Sequence, residues 1–121
     1  IVVRIGGFAS FASGQATVLE SFKPIAAKIG EALEKEPGDI RVVGHTDSVK
    51  ITTARFASNF ELSVERAKAV GELLKLKITK PDRIKVEGKA DSVPIGSNET
   101  AEGRARNRRV EILIPREAAA Q

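Results

Sequence analysis

Apolar and polar positions alternate along the chain in two periods, and the changes of period mark the elements. IVVRI (1–5) is a β-branched run without a breaker and predicts a first strand, ended by Gly6-Gly7. Residues 8–14 are small and polar and read as a loop. From 16 to 35 the apolar positions Val18, Leu19, Phe22, Ile25, Ala26, Ile29 and Leu33 recur at helical spacing. Pro24 divides this stretch into a short entry turn and a longer helix, and Pro37-Gly38 stops it. Ile40, Val42 and Val43 predict a second strand ending at Gly44, followed by a loop over 46–57. Ser58-Asn59-Phe60-Glu61 has the form of a capping box, with Ser58 or Asn59 as the cap. The helix it opens runs to about Leu76, with Ala67, Val70 and Leu74 on one stripe and Leu73 beside it. A third strand is expected over 83–87, a loop over 94–100 and a helical turn over 100–105. In the last strand, 109–114, Val110, Ile112 and Ile114 alternate with Arg109, Glu111 and Leu113. Pro115 ends it, and 116–121 form a frayed tail.

This order predicts an α/β fold: a two-layer sandwich with helices covering one face of a mixed sheet. The strand–helix–strand units imply parallel pairing, and the last two strands run antiparallel. One domain covers 1–115. RVVGHTDSVKI (41–51) aligns without gaps to KVEGKADSVPI (85–95). The echo reads as two strands leaving one edge of the sheet through similar turns, since nothing else repeats.

Composition narrows the chemistry. The 121 residues hold no Cys, Trp or Tyr and five Phe, so the core is built from Val, Ile, Leu and Ala. Disulfides, thiolate metal sites and cysteine nucleophiles are excluded. No run reaches the ~20 apolar residues of a membrane span, and no signal-peptide pattern opens the chain. Because it starts abruptly on a strand, the chain is expected to be a domain cut from a longer protein. The net charge of +4 is a weak argument for a polyanionic partner.

Asp47 follows a strand end, where functional side chains sit on a rigid scaffold. From its own neighbours alone the better reading is an Asx-turn that closes the loop on its own backbone. Arg66 has Leu62 rather than an acid at i−4, and it shares a helix face with Leu62 beside the stripe of Val70 and Leu73. If strand end and helix start are neighbours, Asp47 and Arg66 flank one cleft. There the carboxylate holds an ammonium and the guanidinium a carboxylate. The unpaired N–H groups of the helix start favour the same carboxylate. Together they make a receptor for a zwitterion; the rival arrangement is that Asp47 and Arg66 pair with each other. His45, the single histidine, lacks a serine in a nucleophile pattern and reads as a hydrogen-bonded packing residue. One histidine with scattered carboxylates matches no metal-ligand spacing, and no cofactor is expected. The Arg104, Arg106, Arg108, Arg109 run has no interleaved aromatic for stacking bases, so it reads as a ladder bonding loop carbonyls and carboxylates.

GHTD (44–47), SNFELSVERA (58–67) and GRARNRRVEI (103–112) together resemble the three signature blocks of the OmpA-like C-terminal domain. Each block alone is weak, and the series is specific. The resemblance implies a βαβαβ–β sandwich that binds peptidoglycan through the diaminopimelate of the stem peptide without catalysis. It puts the ammonium on Asp47 and the carboxylate on Arg66. It further implies that Asn59 and Leu62 line the cleft, that Phe11, Ala12 and Ser13 form its opposite wall, that Thr46 shapes the turn, and that Asn107, Arg108 and Arg109 brace it. The long loop VKITTARFASNFELS looks most like the type VI secretion (TssL) version, then the flagellar stator (MotB) version. Lys50 and Ala57 depart from it where proline is common, and Phe60 where tryptophan is common.

The expected protein is thus the periplasmic domain of a membrane-anchored protein, attached to the membrane only through a missing N-terminal segment. Its expected partners are peptidoglycan and other parts of an envelope assembly, and a homodimer is compatible with that role. Nucleic acid is not an expected partner. The alternatives are a nucleic-acid-binding domain using Arg104 to Arg109 and a small peptidoglycan hydrolase using His45.

Overall fold

The structure is a computed structural model that describes residues 2–6, 18–36, 38–49 and 58–114. Four strands form one sheet: β1 (Val2–Gly6), β2 (Ile40–His45), β3 (Ile84–Gly88) and β4 (Arg109–Leu113). Three α-helices accompany them: α1 (Lys23–Glu34), α2 (Asn59–Lys75) and α3 (Ala101–Asn107). A 3-10 turn over Glu20–Phe22 precedes α1, with Pro24 in the first turn of the helix proper. The division expected at Pro24 is therefore present, because proline needs no N–H partner at a helix start. A second 3-10 turn, Pro81–Arg83, leads into β3, which starts one residue later than the sequence pattern suggested.

The strand order is β1-β4-β2-β3. β2 and β3 pair in parallel, while β4 lies antiparallel between β1 and β2. The last two strands do run in opposite directions, but they are not neighbours, since β2 separates them. The β2–β3 register is that of the sequence echo: Val42 faces Val86 and Gly44 faces Gly88. The ladder continues past the strands, where Lys89 N–H donates to Gly44 O at 2.9 Å and Thr46 N–H donates to Ala90 O at 2.8 Å. The two DSV loops thus start side by side at one end of the sheet.

One face of the sheet carries the core. Ile5, Ile40, Val42, Ile84, Val110, Ile112 and Ile114 meet Phe22, Ala26 and Leu33 from the α1 region and Ala67, Val70 and Leu74 from α2. The period-2 and period-3.6 stripes are complementary apolar faces, and burying them drives the layer packing. The other face is a charged ladder of β-strand side chains: Arg4 and Arg109 on Glu111, and Arg41 on Glu87.

Two glycines let α2 come down onto the strand ends. A Cβ on Gly44 would lie 2.0 Å from Ser63 O, and one on Gly88 would meet Val64 Cγ2 at 2.5 Å and Ser63 Oγ at 2.6 Å. The echo places a glycine in each parallel strand at the same level, so the first two turns of α2 rest directly on backbone.

Candidate functional site

The close approach of α2 decides what surrounds Asp47. Ser58 is the N-cap, its Oγ accepting from Glu61 N–H at 3.2 Å, so of the two candidate caps it is Ser58 that acts. Asn59 is thereby the first helical residue, and its side-chain amide donates to Asp47 O at 3.3 Å and to Val49 O at 2.9 Å. It ties the turn after β2 to the start of α2. Asp47 Oδ1 accepts from Val49 N–H at 3.0 Å, which is the Asx-turn. Thr46 Oγ1 donates to Asp47 O at 2.8 Å. Ser63, fully buried, donates to Phe60 O and accepts from Ala90 N–H, linking α2 to the second turn. Ala90 holds a left-handed φ of 48°, a conformation kept only where its surroundings fix it.

Asp47 and Arg66 are each 7% exposed, and Leu62 beside them is buried. The ion pair at Asp47 is made with Arg108: Nη1 lies 2.5 Å from Oδ2. The rival arrangement, Asp47 paired simply with Arg66, is therefore corrected. Arg66 is nonetheless in the same electrostatic field. Burial lowers its proton affinity most, Arg108 lowers it further, and Asp47 raises it. One carboxylate and two guanidiniums thus gather here.

Asn107 is fully buried and holds the 95–98 loop. Its Oδ1 accepts from Ile95 and Gly96 N–H, and its Nδ2 donates to Gly96 O and Asn98 Oδ1. Asn98 Oδ1 in turn accepts from Ser48 N–H at 3.2 Å, so the brace reaches the Asp47 turn. Arg109 is only 3% exposed and serves the charged face, donating to Glu111, Asn107 O and Val93 O. Arg104 donates to Asn98 O. Among these arginines, Arg104, Arg108 and Arg109 have internal partners of the kind a ladder requires, and Arg106 is exposed. Phe11, Ala12 and Ser13, the expected opposite wall, lie outside the described residues, as do Lys50 and Ala57.

His45 departs from expectation. It is a packing residue, 4% exposed, but among the described residues neither ring nitrogen has a hydrogen-bond partner. Its neighbour Gly44 faces α2, so the imidazole points to the charged face, where Nε2 lies 3.6 Å from Glu111 Oε1. Burial holds it below the ordinary value of 6.5; Arg109 and Lys89 add to that, and Glu111 opposes it. A depressed histidine favours the neutral folded form, so the unfolded chain takes the proton first as pH falls below 6.5. Stability should be full above that value and decline below it. Urea midpoints near about pH 7.5 and about pH 5.5 should differ, with the lower value in acid, and His45→Asn should reduce the difference. Glu111 does not blur that window: burial raises its value, but Arg109 and Arg4 outweigh this and keep it below 4.5. Equal midpoints in wild type would remove this account of His45.

Residues not singled out from sequence are Ser63, Asn98, Gly44 and Gly88. Only the glycines left a signal, in the echo.

A two-layer α/β domain with a buried cluster of charged side chains at the ends of two parallel strands is what the geometry defines. The chain belongs to the OmpA family, whose pattern matches residues 10–108. It is similar in structure to the cell wall anchor of the T6SS from Pseudomonas aeruginosa, with a TM-score of 0.86 and 45% identity, over 92% of this chain and 78% of that one. It is 38% identical to motility protein B of Bacillus subtilis over 122 residues, covering 98% of this chain and 47% of that protein. It is 36% identical to the peptidoglycan-binding protein ArfA of Mycobacterium tuberculosis over 111 residues, 90% of this chain and 32% of that protein. The chain spans about half or less of the length of these two curated relatives. Among the described residues no helix is long and apolar enough to cross a membrane, and no three acidic or histidine side chains group as metal ligands.

Proposed function

We propose that this domain binds peptidoglycan and anchors an envelope assembly to the wall from the periplasmic side, without catalysis. The observation that carries the reading is the burial of Asp47 and Arg66 at the same end of the sheet, close enough for each charge to act on the other. The ligand is the free dipolar end of diaminopimelate in a stem peptide: its ammonium goes to Asp47 and its carboxylate to Arg66, which presents two parallel donors. Leu62 packs against the aliphatic part, and Asn59 and Thr46 hold the turn in register. The relatives named for peptidoglycan binding and for a cell wall anchor support the wall as partner. The likenesses to the T6SS cell wall anchor and to motility protein B support an envelope assembly as the setting, of the type VI secretion kind first, with the parent protein held in the membrane by a segment outside this chain. Hydrolysis by His45 is disfavoured because its ring lies on the other face of the sheet from the cleft. Several copies on one assembly, a homodimer at least, would give lasting attachment from a modest single-site affinity.

Sedimentation with purified sacculi tests this. Wild type should pellet with the wall, and Asp47→Ala should stay in the supernatant while melting as a folded domain. Retention of Asp47→Ala at wild-type levels would overturn the site, and release of soluble wall fragments by wild type would overturn the non-catalytic role.

A further inference from the structure

The cleft has one more cation than a zwitterion receptor needs. Asp47 Oδ1 accepts from Val49 N–H and Oδ2 pairs with Arg108 Nη1 at 2.5 Å, so an incoming ammonium competes with a guanidinium for the carboxylate. The Asp47 side chain is 9% exposed and that of Arg108 is 33% exposed, so the guanidinium belongs to the more solvent-exposed side chain of the pair. Its backbone is fixed at the end of α3, with Arg108 N–H bonded to Arg104 O at 3.1 Å. A change of rotamer would leave that backbone bond in place. Arg66 stands close enough to feel the Arg108 charge as repulsion.

We propose that Arg108 is a specificity-determining residue: an internal cation that holds the ammonium position on Asp47 in the free site and yields it only to a ligand that brings a carboxylate with its ammonium. This rests on the zwitterion reading above. A ligand with an ammonium alone, such as a lysine side chain, puts three cations around one carboxylate. A dipolar residue brings a carboxylate that both Arg66 and the displaced Arg108 attract, so the charge balance of the cleft is unchanged. Like charges placed together discriminate against the wrong partner more than they help the right one.

The test compares two synthetic stem peptides that differ only in carrying diaminopimelate or lysine, titrated calorimetrically into wild type, Arg108→Gln and Arg108→Lys. Wild type should prefer the diaminopimelate peptide. Arg108→Gln should bind the lysine peptide about tenfold more tightly than wild type does, with a smaller change for diaminopimelate, so the preference shrinks. Arg108→Lys keeps the cation and should keep most of the preference. If Arg108→Gln does not tighten lysine binding, or if the preference ratio stays at its wild-type value, Arg108 is only a brace and the proposal is wrong. Wild type that binds neither peptide overturns the functional reading and this proposal with it. Should Arg108→Gln fail to fold, wild type bound to the diaminopimelate peptide decides: Arg108 Nη1 should have left hydrogen-bond range of Asp47 Oδ2, and a pair still intact overturns the proposal.

Discussion

Gly44→Ala is expected to cost about 3 kcal/mol or more, or to leave no folded protein. The added methyl would sit 2.0 Å from Ser63 O and 2.8 Å from Ser63 C, both backbone atoms inside α2. No rotamer change relieves that contact, so the helix must lift from the sheet. Lifting it breaks the packing of Ala67, Val70 and Leu74 on the core face and separates Arg66 and Asn59 from Asp47. Gly88→Ala provides the control. Its nearest obstacles, Val64 Cγ2 and Ser63 Oγ, are side-chain atoms, although Val64 N follows at 2.9 Å. It should be the milder of the two. Because the chain has no Trp or Tyr, unfolding is best followed by far-UV circular dichroism in urea. A Gly44→Ala midpoint at the wild-type value would show that α2 does not bear on the strand as described.

The same close contact explains what could be read from sequence and what could not. Element positions were legible because each has a local signature: Pro24 at the entry to α1, Ser58 before α2, and alternation along β4. The β2–β3 register was legible as the echo, since parallel neighbours with equivalent turns repeat the same local needs. The place of β4 between β1 and β2 was not, because strand order depends on pairings between distant segments. The Asp47–Arg66 cleft was inferred from strand end and helix start, both local features, and Asp47 and Arg66 do share a field. The partner that holds Asp47 is 61 residues away, and nothing in spacing announces it. Arg108 was anticipated as a brace and turned out to contact the carboxylate itself. His45 shows the opposite failure: its burial follows from the sequence, but the lack of an acceptor or donor for its ring among the described residues depends on which face of the sheet it takes.

Arg66→Met should separate binding from stability. Arg66 is buried at a cost: desolvation is the largest influence on its charge, repulsion from Arg108 adds to it, and attraction to Asp47 only partly offsets the two. An apolar side chain of similar length there leaves Asp47 its pair with Arg108, so the fold should keep its stability to within about 1 kcal/mol. Methionine suits the position because its unbranched chain fills an irregular space beside Leu62 and Val70. Binding should move the other way. The carboxylate of the ligand would lose its fork of donors and be left unpaired, which should weaken the affinity for a diaminopimelate peptide by about 100-fold or more. Arg66→Lys should recover only part of that loss, since a point charge cannot make two parallel hydrogen bonds. Equilibrium unfolding and peptide titration on the same preparations give both numbers. A variant that is destabilised yet still binds would mean that Arg66 is a structural cation and that the ligand's anionic pole is held elsewhere. A variant that is at least as stable as wild type and no longer binds would show that the fold tolerates this charge only because the ligand requires it.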